Sequence, residues 1–141
     1  MTMGAPFVFR RPVRFDEIDA AGFVYYPRLI ALAHEAVERL LAAAMPGGYA
    51  SLVVGRRIGL PCVHVEADFA APLRFGDELE VSLAVTAFGE SSVTFAVDVG
   101  RQGGITCALL TYVVACVDLD GPSKRALLPE LHAAFAPHLG G

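Results

Sequence analysis

Three carboxylates, Asp16, Glu17 and Asp19, are the residues best placed to do chemistry, because they stand just ahead of a long apolar run. A carboxylate in such a place is usually a helix cap or a partner of the helix dipole. Asp19, however, precedes the predicted first helical turn at Pro27 by eight residues, which is too far for a simple cap. This spacing leaves Asp19 free for another role.

The loop after Asp19 has the features of an oxyanion-binding site. Gly22 can adopt a positive φ or let the backbone approach a ligand closely. The first turn of the following helix has N–H groups without helical acceptors, near Tyr26 and Arg28, and these can donate to a developing oxyanion. A carboxylate and an oxyanion hole across a short loop suit acyl transfer.

The element after this loop is predicted to be one long helix. Apolar residues recur with helical period from Arg28 to Ala44, and Pro27 suits the first helical position because its missing N–H costs nothing there. The breaker Pro46-Gly47-Gly48 ends the pattern. We expect about 18 residues of helix, or roughly 27 Å.

The rest of the chain has the period of strands. Phe7 to Phe15 alternates as a half-buried strand, with Pro12 at an edge or bulge, and everything after the helix is predicted to be sheet apart from a short helix at Pro129 to Phe135. Ile105 to Leu119 is apolar on both faces, which predicts a central strand covered on both sides. One strand, one long helix and four more strands indicate an α+β fold with a largely antiparallel, five-stranded sheet.

Composition limits the class of protein. With 141 residues, of which 55% are hydrophobic and 18% charged, we expect one domain spanning residues 1–141 with part of its surface against another subunit. A net charge of -4 argues against nucleic acid or an anionic membrane as partner. No stretch is apolar enough to span a membrane and no leader is evident, which predicts a cytoplasmic protein.

Metal and cofactor chemistry is not indicated. Cys62, Cys107 and Cys116 are too far apart for a zinc site or a disulfide framework and are predicted to be buried, reduced thiols. The sequence has no glycine-rich phosphate loop, no Gly-x-Ser-x-Gly motif and no metal-spaced histidines or cysteines. We therefore expect neither a metal nor a redox cofactor.

Two stretches carry a family resemblance. FDEIDAAGFVYYPR resembles the signature of the 4-hydroxybenzoyl-CoA thioesterase family of hot-dog-fold enzymes, in which Asp-x-Ala-Gly-x-Val, an aromatic pair and Pro precede the central helix. PCVHVEADFAAPLRFGDELEV resembles the second and third strands of that family, including the turn between them. The resemblance implies a hot-dog fold, in which the sheet wraps one long central helix.

The same resemblance implies how the protein works. It implies homodimers, often paired into tetramers, with active sites at the subunit interface, and acyl-CoA as the substrate. The catalytic carboxylate falls on Asp19, as nucleophile or general base, and the N–H that polarises the thioester carbonyl falls on Tyr26. Asp16 and Glu17 are then loop or surface charges. Gly22 and Tyr25 are expected at the substrate.

Two helix residues are further candidates. His34 stands where the hydroxybenzoyl enzyme has an aspartate that meets the substrate's ring hydroxyl, so an acyl group other than 4-hydroxybenzoyl is expected if His34 lines the pocket. A packed histidine bonded to a neighbour is an equally good interpretation. Glu35 is the second choice for the catalytic carboxylate, although Arg39 offers it an ordinary helix pair.

The sequence offers several candidates for the residues that bind the coenzyme A phosphates. Relatives often carry basic residues in the turn before the fourth strand, where this chain has AFGESS, with Ser91 as a substrate-binding candidate. The phosphates then meet Arg56-Arg57, Arg101 or Lys124-Arg125, or the carrier is different. We expect hydrolysis of an aromatic or medium-chain acyl-CoA. An acyl-carrier-protein thioesterase, a hydratase or dehydratase, and a non-catalytic acyl-binding module are the alternatives.

Overall fold

The computed structural model describes residues 4–140, and its centre is an antiparallel sheet around one long helix. The strands of the described chain are β1 (Phe7–Pro12), β2 (Ile58–Gly59), β3 (Cys62–Phe69), β4 (Glu78–Phe88), β5 (Ser92–Arg101), β6 (Ile105–Ala115), β7 (Val117–Asp118) and β8 (Ser123–Lys124). The helices are α1 (Tyr26–Ala44), α2 (Gly48–Ala50) and α3 (Pro129–Phe135). The main sheet has five strands, all paired antiparallel, as predicted. Their order is β1-β4-β5-β6-β3.

The core lies between α1 and the inner face of the main sheet. Alternate residues of β4 and β5 point inward and are fully buried, as the period of two predicts: Leu79, Val81, Leu83, Val85, Val93, Phe95, Val97 and Val99. The buried stripe of α1 covers them: Leu29, Leu32, Ala33, Ala36, Val37, Leu40 and Leu41. The inner face of the sheet therefore covers one face of α1, and the opposite face of the helix is exposed.

The first strand is shorter than its sequence pattern suggests. β1 ends at Pro12, opposite Glu78, because a proline cannot donate to the next ladder position. The chain then makes a 3₁₀ turn at Phe15–Glu17. Phe15, which continues the alternation in the sequence, is 74% exposed on this turn. The prediction of a strand reaching Phe15 was therefore wrong by three residues.

The segment from Gly48 to Gly55 was wrongly predicted as sheet. Gly47 and Gly48 have φ values of 75° and 58° and redirect the chain into α2, which continues as a π-helical segment, Ser51–Gly55. Leu52 is buried there and Val54 is 76% exposed. A second sheet, β2-β7-β8, was also missed, because its strands have only two residues each.

Two surfaces of the sheet are more open than predicted. Every residue of the edge strand β3 is exposed except the half-buried Ala67, so Cys62 is not the buried thiol expected, whereas Cys107 and Cys116 are buried and free. β6 was expected to be covered on both faces, yet Leu109 on its outer face is 52% exposed. Within the described chain, no helix is long and apolar enough to cross a membrane.

Candidate active site

The loop that carries Asp19 is a small antiparallel ladder. Tyr25 N–H donates to the Glu17 carbonyl over 2.9 Å, and Asp19 N–H donates to the Phe23 carbonyl over 2.8 Å. Gly22 N–H closes the tip on the Asp19 carbonyl at 3.0 Å. Gly22 has a φ of 87°, which explains why glycine stands there. Space beside it is open, since a Cβ would meet nothing within 4 Å.

The Asp19 carboxylate is exposed and held by its own loop. Its Oδ1 accepts hydrogen bonds from Ala21 N–H at 2.9 Å and Phe23 N–H at 3.3 Å. These two contacts fix the side-chain direction. The other oxygen, Oδ2, has no hydrogen-bond partner within residues 4–140, so it is available to a substrate.

The N-terminus of α1 supplies one open donor beside this loop. Tyr25 is the N-cap and Tyr26 is the first helical residue. Pro27 is therefore the second helical residue, whereas the sequence predicted it as the first. Arg28 N–H donates to the Tyr25 carbonyl at 2.8 Å and is therefore engaged. Pro27 has no N–H, and Tyr26 N–H has no hydrogen-bond acceptor within residues 4–140, so it is the open donor of the first three helical residues. No acidic side chain stands in this first turn.

Asp19 lies on one arm of the ladder, and Tyr26 directly follows the other arm. Asp19 is opposite Phe23, and Tyr26 follows Phe23 by three residues, or about 10 Å of extended chain. Exposed aromatic rings border this space. Tyr26 is 58% exposed, and its ring centroid lies 5.3 Å from that of Tyr25 and 6.3 Å from that of Phe69 on β3.

The turn between β3 and β4 supports the other side of the loop. Val24 N–H donates to the Leu73 carbonyl at 2.8 Å, and Phe23 forms an isolated bridge with Arg74. The Arg74 guanidinium lies over the Phe23 ring at 5.0 Å. Asp77 holds this turn by accepting Arg74 N–H at 2.9 Å, and hydrogen bonds from Gln102 and from that N–H keep the pKa of Asp77 below its ordinary value.

Arg11 is the buried residue that ties the loop to the fold. Its five N–H donors all have acceptors: Glu17 Oε1 and Oε2, Glu35 Oε1 and Oε2, and the Pro12 carbonyl, at distances of 2.7 to 3.1 Å. Arg11 and Glu17 are each only 7% exposed. The interpretation of Glu17 as a loop or surface charge was therefore wrong, since it faces inward to pair with Arg11.

The sequence did contain a signal for this ion pair. Arg11 occupies an odd position in β1, on the same face as Phe9 and Val13, and a charge on a buried face needs a partner. The Arg11 hydrogen bonds lower the pKa of Glu17. Burial acts to raise the pKa of Glu35, but hydrogen bonds from Arg11 and Arg39 outweigh it and keep that pKa below its ordinary value.

The ion pair also engages Glu35, the second choice for the catalytic carboxylate. Arg39 Nε donates to Glu35 Oε2 at 3.0 Å, as its position one turn on predicted, and both oxygens already accept from Arg11. Glu35 is thus engaged on both oxygens while Asp19 has one open. Its contacts are those of a structural residue.

The other two predicted substrate residues lie apart from Asp19 in the protomer. His34 is two turns along α1 from Tyr26, about 12 Å, with Nε2 at 3.5 Å from Glu38 and its ring edge-on to Tyr49. Ser91 follows the far end of β4, about 33 Å along the strand from its start. A second chain would be needed to bring Ser91 to this site.

Cations and possible metal ligands complete the inventory of the site. Within residues 4–140, no group of three or more histidine, cysteine or acidic side chains lies close enough together to hold a metal ion. Arg56, Arg57 and Arg125 were candidates for the phosphates, but each pairs with an acid, Glu130, Asp120 and Asp118 respectively. Arg101 is half-buried, and its Nε has no partner in the described chain.

Comparison with known proteins identifies the family. Residues 13–135 match the Thioesterase-like superfamily. The chain belongs to this superfamily. A 1,4-dihydroxy-2-naphthoyl-CoA hydrolase of Trichodesmium erythraeum is 31% identical over 127 residues, covering 89% of this chain and 91% of that protein.

Solved structures agree with the sequence match. A 1,4-dihydroxy-2-naphthoyl-CoA thioesterase from Synechocystis has a TM-score of 0.83 at 25% identity, covering 93% of this chain and 96% of that one. The dynemicin thioesterase has a TM-score of 0.84 at 25% identity, covering 96% and 99%. The predicted hot-dog fold and the predicted class, a thioester hydrolase, are confirmed. The narrower resemblance to the 4-hydroxybenzoyl-CoA family is confirmed only at the level of the Thioesterase-like superfamily.

Replacing Arg11 tests the role of the ion pair. We expect Arg11→Met to lower the free energy of unfolding by about 3–5 kcal/mol, because Glu17 and Glu35 would stay largely buried and lose the hydrogen bonds that they accept from Arg11. The neighbouring Arg10 forms an exposed pair with Glu80, so Arg10→Gln is the control and should cost no more than about 1 kcal/mol. Urea denaturation measures both, and equal losses in the two variants would refute the assignment.

Proposed function

We propose that the protein hydrolyses an acyl-CoA thioester with Asp19 as the catalytic carboxylate and Tyr26 N–H as the oxyanion donor. The observation that supports this most directly is the ladder, which holds an exposed carboxylate oxygen on one arm and leads from the other arm into an open helix N–H. A helix N-terminus carries partial positive charge, and here no acidic side chain in the first turn neutralises it. It therefore favours an anion at the Tyr26 N–H.

In the proposed reaction the thioester carbonyl oxygen accepts the Tyr26 N–H. Asp19 Oδ2 attacks the carbonyl carbon, and the oxygen gains the negative charge that this donor stabilises. Collapse of the adduct breaks the carbon–sulfur bond, releases the CoA thiolate and leaves an acyl anhydride on Asp19, which water hydrolyses to the free acid. Activation of water by Asp19 is the alternative route, and it uses the same two groups. Neither route calls for a metal or a redox cofactor.

An aromatic acyl group is the proposed substrate. Two of the relatives above are named for a naphthoyl thioester, and the rings of Tyr25, Tyr26 and Phe69 form an aromatic cluster at the start of the helix that follows the Asp19 loop. A flat ring stacks on such rings more favourably than an alkyl chain does. If His34 lines the pocket, in place of the aspartate of the hydroxybenzoyl enzyme, the acyl group is expected to differ from 4-hydroxybenzoyl. A medium-chain acyl group and a carrier-protein thioester remain the alternatives.

The working form is proposed to be a homodimer joined through β3. β3 is an edge strand with Val63 60% and Val65 38% exposed, and an unpaired, apolar edge invites another strand. A second chain would cover the exposed rings around Asp19 and exclude water from the reaction. It would also bring its own His34 or Ser91 toward the site. Two such dimers then pair into the tetramer that the family resemblance implies, in the cytoplasm.

Asp19 and Glu35 are compared directly by isosteric amides. We expect Asp19→Asn to lower kcat for an aromatic acyl-CoA by about 10²–10⁴-fold, because the amide neither attacks the carbonyl nor accepts a proton from water. Glu35→Gln is the matched control and should keep most of its activity while losing stability. Release of CoA thiol measures turnover. Comparable loss in the two variants would refute the choice of Asp19.

The Tyr26 N–H is tested by a pair of variants that differ in that donor. Tyr25 has φ -64° and ψ 129°, which a following proline accepts, and proline is favoured at the first helical position. Tyr26→Pro therefore keeps the helix but deletes the N–H, whereas Tyr26→Ala deletes only the ring. We expect kcat to be about 10²–10³-fold lower in Tyr26→Pro than in Tyr26→Ala. Equal rates would show that this N–H does not bind the oxyanion.

The dimer is tested by placing lysines on the β3 edge. The double variant Val63→Lys/Val65→Lys should sediment as a monomer and lose activity in step, because lysines on an edge strand oppose pairing. Val8→Lys on β1, at the opposite edge of the sheet, is the control, since Val8 is 37% exposed. A wild-type monomer, or a fully active monomeric variant, would contradict the proposed assembly.

A further inference from the structure

Two Arg-Phe dipeptides from distant parts of the chain meet beside the Asp19 loop. Arg14-Phe15 lies at the 3₁₀ turn after β1, and Arg74-Phe75 lies in the turn before β4. The two phenylalanine rings pack edge to face with centroids 5.6 Å apart. Phe15 is 74% and Phe75 59% exposed, so the pair projects into solvent instead of filling the core. We call these four residues the Arg-Phe platform.

Both arginines of the platform, Arg14 and Arg74, are without an ion-pair partner in the described chain. Of the eleven arginine and lysine side chains, six form ion pairs within the described chain. The other five have no acid within salt-bridge distance among residues 4–140: Arg14, Arg28, Arg74, Arg101 and Lys124. In a chain with a net charge of -4, both platform arginines thus stay free of acidic partners. Asp16, exposed next to Phe15, pairs with neither of them.

The platform is continuous with the catalytic loop. The Arg74 guanidinium lies over the Phe23 ring at 5.0 Å, and Phe23 N–H donates to Asp19 Oδ1. A ring under the guanidinium face leaves the N–H groups at its edge free for an anion. Phe15 is four residues from Asp19, so their Cα atoms are at most about 14 Å apart.

We propose that the Arg-Phe platform binds the adenosine 3′-phosphate 5′-diphosphate part of coenzyme A, an inference that rests on the proposed acyl-CoA thioesterase function. The exposed faces of Phe15 and Phe75 stack the purine, and Arg14 and Arg74 bind the phosphates. The pantetheine arm then runs from the platform to Asp19. This assigns the coenzyme to residues that belong to the same chain as the attacking carboxylate.

The other cations fit this ligand less well. Arg56, Arg57 and Arg125 are ion-paired, and backbone hydrogen bonds connect their region to the Ser91 end of the sheet. That end is about 33 Å along β4 from the platform turn. Lys124 is the unpaired cation of that region. Lys124 is therefore the alternative to the Arg-Phe platform as a phosphate-binding residue within one chain.

A comparison of two substrates isolates the nucleotide. Benzoyl-CoA and S-benzoylpantetheine share the acyl group, the thioester and the pantetheine arm, and they differ only in the nucleotide. We expect wild-type kcat/KM to favour benzoyl-CoA, and Phe15→Ala/Phe75→Ala to reduce this preference about tenfold or more, the effect of one lost base-stacking contact. Arg14→Gln/Arg74→Gln should reduce it similarly and weaken its dependence on salt.

Controls and a binding assay separate this inference from the proposed function. Val54→Ala, an exposed apolar residue elsewhere, and Lys124→Gln should keep the wild-type preference. Calorimetry with adenosine 3′,5′-bisphosphate should show binding that the platform variants weaken about tenfold. An unchanged preference in the platform variants, a loss in Lys124→Gln, or a change in oligomeric state in Phe15→Ala/Phe75→Ala would overturn the inference. If the wild type hydrolyses neither thioester, the proposed function fails, and the calorimetry still decides whether the platform binds the nucleotide.

Discussion

The Arg11 guanidinium is the constraint on which the geometry of the site depends. A buried charge is tolerated only when its hydrogen bonds are complete, and all five donors of Arg11 are used. Completing them requires β1, the Phe15–Glu17 turn and α1 to meet at one point. The turn leads directly into Asp19, and α1 begins at Tyr26. The contact that satisfies Arg11 therefore also fixes the spacing of the two groups proposed to react.

The groups proposed to react are held by backbone contacts instead of side-chain packing. The Asp19 loop is a ladder of main-chain bonds closed by Gly22, and the carboxylate is anchored by N–H groups of that loop. Pro27 removes a second donor from the start of α1, so the open N–H is confined to one residue. Since none of these contacts uses the rings of Tyr25 or Tyr26, both rings remain exposed and free to meet a substrate.

Periodicity was enough to predict α1 and the strands of the main sheet, because their buried faces alternate with the correct period. The spacing of Asp19, Gly22 and Pro27 was enough to locate the candidate loop. Contacts between distant residues were not predictable in this way. Arg74 meets Phe23, and Phe75 meets Phe15, only because β1 pairs with β4 and brings the two turns together. Arg11 is intermediate, since its inward position was visible but its partners on two other elements were not.

An exposed catalytic carboxylate is poorly placed to act in bulk water, where hydration stabilises its charge and competes with the substrate. In the protomer Asp19 is exposed, and so are the rings of Tyr25 and Tyr26 at the start of α1. The β3 edge has exposed apolar side chains, Val63 and Val65, and no strand beside it on its outer side within the described chain. Pairing two chains through that edge would give β3 a neighbouring strand and would exclude water from Asp19, because the same surface of the second chain would do both. In this arrangement the same residues would serve association and catalysis, and the open β3 edge of the protomer would help to form the active site.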